Sequence, residues 1–255
     1  MPRMETFEKE LKRFEPVIQR LSNIALIGKK IVIQGKENFI HHGPNIIVGN
    51  HIGTFKDIAT LLKVVPRPIF FTANKMVFDK HDFNVLIRKH LKRHLKNFGL
   101  FLDLILNPLK SLFVNYFVAN IRKVGAIPVD LENKKRMAME KCHEYLKRGR
   151  AIIALQGWGR VMKKAPNPYV HNFKRGTAIL SYNLQMDEGI SVPVTPIAMF
   201  GTQVPFIVPT TIKVNIGRPM YISDYLGGDF SESVERFREA LEKSVKTLIF
   251  DILKW

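Results

Sequence analysis

Short runs of consecutive apolar, mostly β-branched residues recur along this chain, and longer segments with apolar residues three and four apart lie between them. Ile46-Ile47-Val48 and Ala151–Leu155 show no polar alternation, as expected of strands covered on both faces. Ile31–Ile33, Ile69–Thr72, Ala126–Val129, Val192–Ala198 and Ile212–Ile216 extend the series. Helical spacing marks Ile58–Val65, Lys134–Arg148 (ending at Gly149), Gly176–Asn183 and Phe230–Leu253. Strand-like and helix-like segments in turn predict an α/β single domain whose central, mostly parallel (mixed) sheet is flanked by helices. Phe7, Leu11, Phe14, Val17, Ile18, Leu21 and Ile24, with Lys9, Lys12, Arg13 and Arg20 on the other faces, predict an N-terminal amphipathic helix. The expected organisation is therefore an appendage over 1–29 and one domain over 30–255.

A chain of 255 residues builds such a core without staples, and its single cysteine, Cys142, permits neither an internal disulfide nor a cysteine-rich zinc site. Forty Lys and Arg against 22 Asp and Glu give a net charge of +18, which favours anionic partners: nucleic acid, acidic lipid or phosphorylated substrates. No zinc-finger spacing, ribonucleoprotein aromatic motif or clamping Gly-x-x-Gly loop accompanies the charge, so nucleic acid is not the expected partner. Met1–Glu15 lacks the apolar centre of a signal peptide. Phe98–Ile121 is interrupted by Asp103, Asn107, Pro108 and Lys110, too polar for a span of about 20 apolar residues. The basic segment Val85–Lys96 and the aromatic stretch after it suit the surface of an anionic membrane, while a helix pair in an ordinary core would carry the same apolar residues.

Ligands of α/β folds gather where buried strands emit loops at their carboxyl ends. Two exits here carry chemically useful groups: Asn50-His51 through Asp57, and Gln156 through Arg160. A carboxylate bonded to one ring nitrogen of a histidine sets its tautomer and leaves the other nitrogen free to take a proton. With no Gly-x-Ser-x-Gly elbow in the chain, the hydroxyl so activated belongs to a substrate. The same residues also suit plain capping, with Thr54 bonding early helix N–H groups and Asp57 complementing the helix dipole. No second nearby histidine and carboxylate completes a metal site, so no metal is expected.

The runs Ile33–Asn38 and Gly43–His51 resemble the opening of the glycerophosphate and lysophospholipid acyltransferases of the bacterial 1-acylglycerol-3-phosphate acyltransferase type. Further blocks follow in that family's order: Gly125–Asp130, Ala154–Gly157, Phe173–Gly176, Val192–Ala198 and Val214–Pro219, covering about residues 31 to 220. Three blocks depart from the pattern. Five residues, Ile52 to Lys56, separate His51 from Asp57 where the family has four, and Gly53 is the expected place for the extra one. Gln156 stands where the family has glutamate, with Trp158 and Gly159 in place of its threonine and arginine and Arg160 displaced by one. Leu131 replaces the arginine that holds the acceptor phosphate, which leaves Lys134, Lys135 or Arg136 to substitute.

The resemblance implies an O-acyltransferase that moves a fatty acyl group from acyl-CoA or acyl carrier protein to a hydroxyl of a glycerophosphate- or lysolipid-like acceptor. It implies His51 and Asp57 as the catalytic pair. The substrate-binding set is Lys75, Lys134, Arg136, Gln156, Gly157 and Arg160, with Gly157 near the oxyanion and Arg160 and Lys75 near a phosphate. The donor is a substrate and no cofactor is implied. The expected location is peripheral or monotopic, on the cytoplasmic face of a membrane.

Overall fold

The computed structural model describes residues 15–16, 18–20, 22–89, 107–121, 125–129, 135–205 and 208–255. Seven strands form one sheet: β1 (Lys29–Gln34), β2 (Asn45–His51), β3 (Ile69–Asn74), β4 (Ala126–Val129), β5 (Ala151–Gly157), β6 (Val194–Phe200) and β7 (Thr210–Ile216). Five helices accompany them: α1 (Phe55–Val64), α2 (Asn107–Asn120), α3 (Lys135–Lys147), α4 (Gly176–Glu188) and α5 (Phe230–Lys254). The strand order is β1-β7-β6-β2-β5-β3-β4. The pairs β1–β7, β2–β5, β2–β6 and β3–β4 are parallel and β6–β7 is antiparallel, which gives the mixed, mostly parallel α/β sheet that the sequence predicts.

Two compact units divide the chain, one comprising Met1–Phe14 and Phe71–Ala138, the other Glu15–Phe70 and Met139–Trp255. In the first, β3 pairs with β4 from Phe71↔Ala126 to Asn74↔Val129. Asn74 closes the following 3-10 turn, Lys75–Phe78, by accepting from Met76 N–H at 3.0 Å. Residues 80–89 are helical, and Phe83 meets Phe117 of α2 with ring centroids 4.9 Å apart. The remainder of the Val85–Lys96 segment and Lys134 lie outside the described residues, as do residues 1–14 of the expected N-terminal helix, of which 15–16, 18–20 and 22–25 are helical.

The second unit holds most of the buried apolar residues described. Asn45–Asn50 of β2 and Val194–Met199 of β6 are buried at every position, so Ile46-Ile47-Val48 is the two-sided strand that its sequence predicts, while in β5 Ala151–Ile153 are buried and Ala154 and Leu155 are half-buried. Helix α5 buries Val234, Phe237, Leu241, Val245, Ile249 and Ile252, a stripe at three- and four-residue spacing that packs on β6 and β7. Asp229 caps this helix, its side chain accepting from Glu232 N–H at 2.8 Å. After β2 the chain runs through α1 to β3 on one side, and after β5 through α4 to β6 on the other. The adjacent carboxyl ends of β2 and β5 therefore form a switch point, the crevice where open α/β sheets bind ligands.

Candidate active site

His51 ends β2 in register with Gly157, the last residue of β5. Close approach of backbone prepares this corner. A methyl at Gly49 would stand 2.5 Å from Ile197 O of the neighbouring strand, and one at Gly157, whose φ is +137°, would stand 2.9 Å from His51 O. Asn50, fully buried, ties the strand end to β6: its amide donates to Met199 O at 2.9 Å and accepts from Met199 N–H at 2.8 Å.

His51 Nδ1 stands 2.8 Å from Asp57 Oδ2, so the two side chains predicted to meet do meet. The same oxygen accepts the Ile52 and Gly53 N–H groups at 3.0 and 2.8 Å, while Oδ1 is buried with no partner among the described residues. A carboxylate only accepts, so the proton of this contact belongs to Nδ1 and the lone pair to Nε2. The imidazole side chain is 26% exposed and Asp57 not at all: the ring is within reach of a ligand and its orienting carboxylate is sealed from water. Asp57 thus joins the two alternatives drawn from the sequence, since it closes the turn as well as orienting the ring.

The turn corrects two expectations. Thr54 does not cap α1; its hydroxyl donates to Gly53 O at 2.7 Å. The residue of the turn in an unusual backbone conformation is Thr54, which takes φ +54°, ψ −124°, and not Gly53. Gly53 is required for a different reason, because a methyl there would lie 2.4 Å from Thr202 Cβ. Next to Asp57, the buried Lys56 ammonium donates to Val204 O. Burial and the nearby Lys29 lower its pKa, with Asp57 opposing them.

Residues 158–175 connect β5 to α4 without regular structure, yet they are pinned along their length. Gly159 N–H donates to His51 O at 3.1 Å, Tyr169 O accepts from Asn50 at 3.3 Å, and Phe173 N–H donates to Glu242 at 2.8 Å. Gln156 is buried, and its Oε1 accepts from Lys174 N–H at 3.1 Å, so this side chain holds the far end of the loop against the strand. A methyl at Gly159 would stand 3.4 Å from His51 Nε2 and 2.8 Å from Thr54 Cγ2, which puts the free face of the imidazole against the Trp158–Arg160 turn. Gly157 and Arg160 are exposed there. His171 also borders Gly157, its Cδ2 3.2 Å from where a methyl would be.

Lys75 is exposed in the 3-10 turn after β3, in the other unit. Arg136 lies in the first turn of α3, with its side chain outside the described residues. Glu242 and Asn167, whose side chain accepts from the Tyr169 and Val170 N–H groups, are positioning residues that sequence reasoning missed, and for Asn50 and Gln156 it named the residue without its tethering role. Only Asn50, beside His51 at a strand end, carried a local signal. An open groove of about 450 Å³ lies between Pro166–Tyr169 and the Lys243–Leu253 part of α5, lined by none of the predicted site residues. Among the described residues no group of three His, Cys, Asp or Glu side chains is placed to hold a metal ion, and no helix is long and apolar enough to cross a membrane.

No family model matches the chain, and no curated protein matches its sequence. Among solved structures it is similar to the 1-acyl-sn-glycerophosphate (LPA) acyltransferase PlsC from Thermotoga maritima, with a TM-score of 0.55 and 20% identity over 97% of this chain and 83% of that one. The chain therefore has the α/β fold seen in that acyltransferase.

Proposed function

We propose that this protein is an O-acyltransferase that moves a fatty acyl group from acyl-CoA or acyl carrier protein to a hydroxyl of a glycerophosphate- or lysolipid-like acceptor. The observation that carries this reading is the His51–Asp57 pair, 2.8 Å apart, at the exposed end of a buried strand. The pair holds no hydroxyl or thiol and its carboxylate is sealed from substrate, so the chemistry that suits it is deprotonation of a substrate hydroxyl. Nε2 takes that proton, the oxygen attacks the thioester carbonyl, and collapse of the tetrahedral adduct releases the thiol as the proton returns to it. Asp57 holds the ring through Nδ1 and stabilises the imidazolium formed in between. General-base assistance of this kind contributes about 10²–10⁴-fold in rate.

Gly157, at the strand end beside His51, suits the developing oxyanion. Arg160, exposed on the same turn, suits a phosphate of the acceptor or of the thioester carrier. Lys75, Lys134 and Arg136 are proposed as further phosphate contacts, and Gln156 supports the site by holding the loop. The fold shared with the Thermotoga maritima acyltransferase supports the reading, as do the ordered motif blocks and the +18 charge, which favours an acidic carrier protein and an anionic membrane surface. On this reading the enzyme works on the cytoplasmic face of a membrane, without crossing it.

Incubation with labelled acyl-CoA or acyl carrier protein and a panel of acceptors (glycerol 3-phosphate, lysophosphatidate, lysophospholipids), followed by lipid extraction, tests the proposal. Label is expected in an acylated acceptor. Label found only as free fatty acid across the whole panel would identify a thioesterase and contradict the reading.

A further inference from the structure

The groove between Pro166–Tyr169 and α5 contains no residue proposed for acyl transfer, and both of its walls lie in one compact unit. Helix α5 needs a single apolar stripe to pack on β6 and β7, the buried one that ends with Ile249 and Ile252. Phe250 and Leu253 stand off that stripe, 60% and 49% exposed, and both line the groove. The facing wall is poor in free polar groups for a backbone reason. Pro166 and Pro168 carry no N–H. Pro168 O accepts from Met162 N–H at 3.0 Å, Tyr169 N–H donates to the Asn167 side chain at 3.0 Å, and Tyr169 O accepts from Asn50 at 3.3 Å. These bonds occupy the backbone groups of Pro168 and Tyr169, so an extended peptide finds no ladder to join at them. A ligand held between these walls gains by burying carbon.

The charge on this apolar surface has one sign. Lys243 and Lys246 line the groove, and no carboxylate lines it among the described residues. Lys246 donates to Glu242 Oε1 at 2.6 Å, and the other oxygen of Glu242 accepts from Phe173 N–H and from Arg238, each at 2.8 Å. Lys243 is exposed and makes no ion pair among the described residues, so its ammonium is the uncompensated charge of the groove. The volume, about 450 Å³, falls within the range of roughly 300–1,000 Å³ typical of small-molecule sites.

We infer that this groove is a binding site for a single alkyl chain ending in an anionic head group, with the chain against Phe250, Leu253 and the proline wall and the head beside Lys243. A lysine suits this place because its methylene stem covers carbon while its ammonium stays in water with the head group. A second copy of this chain suits it less, since each copy carries a charge of +18 and would bring like charge to the rim. The site goes beyond the acyl-transfer reading and does not rest on it.

Calorimetric titration of the full chain with laurate, kept below its micelle-forming concentration, tests the site. Saturable binding is expected, weakened about fivefold by Lys243→Ser and about tenfold by Phe250→Ser. Both positions are exposed, and circular dichroism should show that both variants keep the fold. Dodecyl maltoside, with the same chain and no charge, should bind more weakly than laurate at low salt, and the difference should shrink as salt is added. His51→Ala should bind laurate like the parent, and the two groove variants should keep the parent's acyl transfer, so the two readings fail separately. Absence of laurate binding overturns the inference. So does binding that both groove variants leave unchanged, or dodecyl maltoside binding as tightly as laurate. Sedimentation showing a dimer that Phe250→Ser dissociates also overturns it, because a second copy would then cover the groove.

Discussion

At Asp57 a single carboxylate oxygen accepts three donors, the His51 ring and the Ile52 and Gly53 N–H groups. An asparagine there keeps an acceptor oxygen for all three donors, but it carries no negative charge and puts an NH₂ where the buried, unpartnered Oδ1 stood. Asp57→Asn should therefore preserve the turn while removing the charge that stabilises the imidazolium, with turnover falling on the order of 10²–10⁴-fold and the melting temperature changing little. Steady-state kinetics beside thermal unfolding would check both halves, and a loss of fold matching the loss of activity would reduce Asp57 to a turn-closing residue. Thr54 is the strained residue of the same turn. Its φ of +54° with ψ −124° is a conformation suited to glycine, and non-glycine residues held in such regions store about 1–3 kcal/mol. Glycine adds about 0.5–1 kcal/mol of backbone entropy cost. Thr54→Gly is accordingly expected to raise stability by about 1 kcal/mol, read as a higher midpoint in urea; a lower midpoint would mean that the Thr54 hydroxyl bond to Gly53 O outweighs the strain.

Among the elements, those with a strong period were legible and those held by polar contacts were not. The apolar runs of β2, β5, β6 and β7 and the stripe of α5 gave those strands and that helix to within a few residues, because burial on a sheet imposes its pattern directly on the sequence. Helix α1 was expected from Ile58 and begins at Phe55, since its first turn is occupied by Phe55, Lys56 and Asp57, which carry no helical apolar stripe. The 158–175 loop was opaque for another reason: the bonds holding it run to Asn50, Glu242 and His51, residues far away in sequence. Helix α3 offers a test of packing. Cys142 is buried in it, and burial pushes the thiol up to about 12 from the usual 9.0. The folded state then holds this proton where the unfolded chain releases it. Stability should be unaffected below about pH 9 and fall by at most about 1.4 kcal/mol per pH unit between about 9 and 12. Urea unfolding at alkaline pH is expected to show a shallower loss in Cys142→Ala than in the parent, and equal slopes would mean that the thiol is not buried in solution.

For the whole molecule, topology and charge act together. The β2 and β5 exits adjoin where the chain departs in opposite directions, so residues more than a hundred positions apart share one corner. That His51 and Asp57 meet was legible from one strand exit; that Trp158, Gly159 and Arg160 border them followed only from the pairing of His51 with Gly157. The +18 charge named a class of partner without placing it, and the acid-free stretch from Gly157 to Gly176 gives that charge a position beside the site. The acyl-transfer account stands on the imidazole as general base. Its most direct test compares purified wild type with His51→Ala, following transfer of label from the acyl thioester to the preferred acceptor, with circular dichroism and thermal unfolding confirming that the variant folds. The account expects transfer to fall by on the order of 10²–10⁴-fold in a folded protein. A folded His51→Ala variant that turns over at the wild-type rate would contradict it.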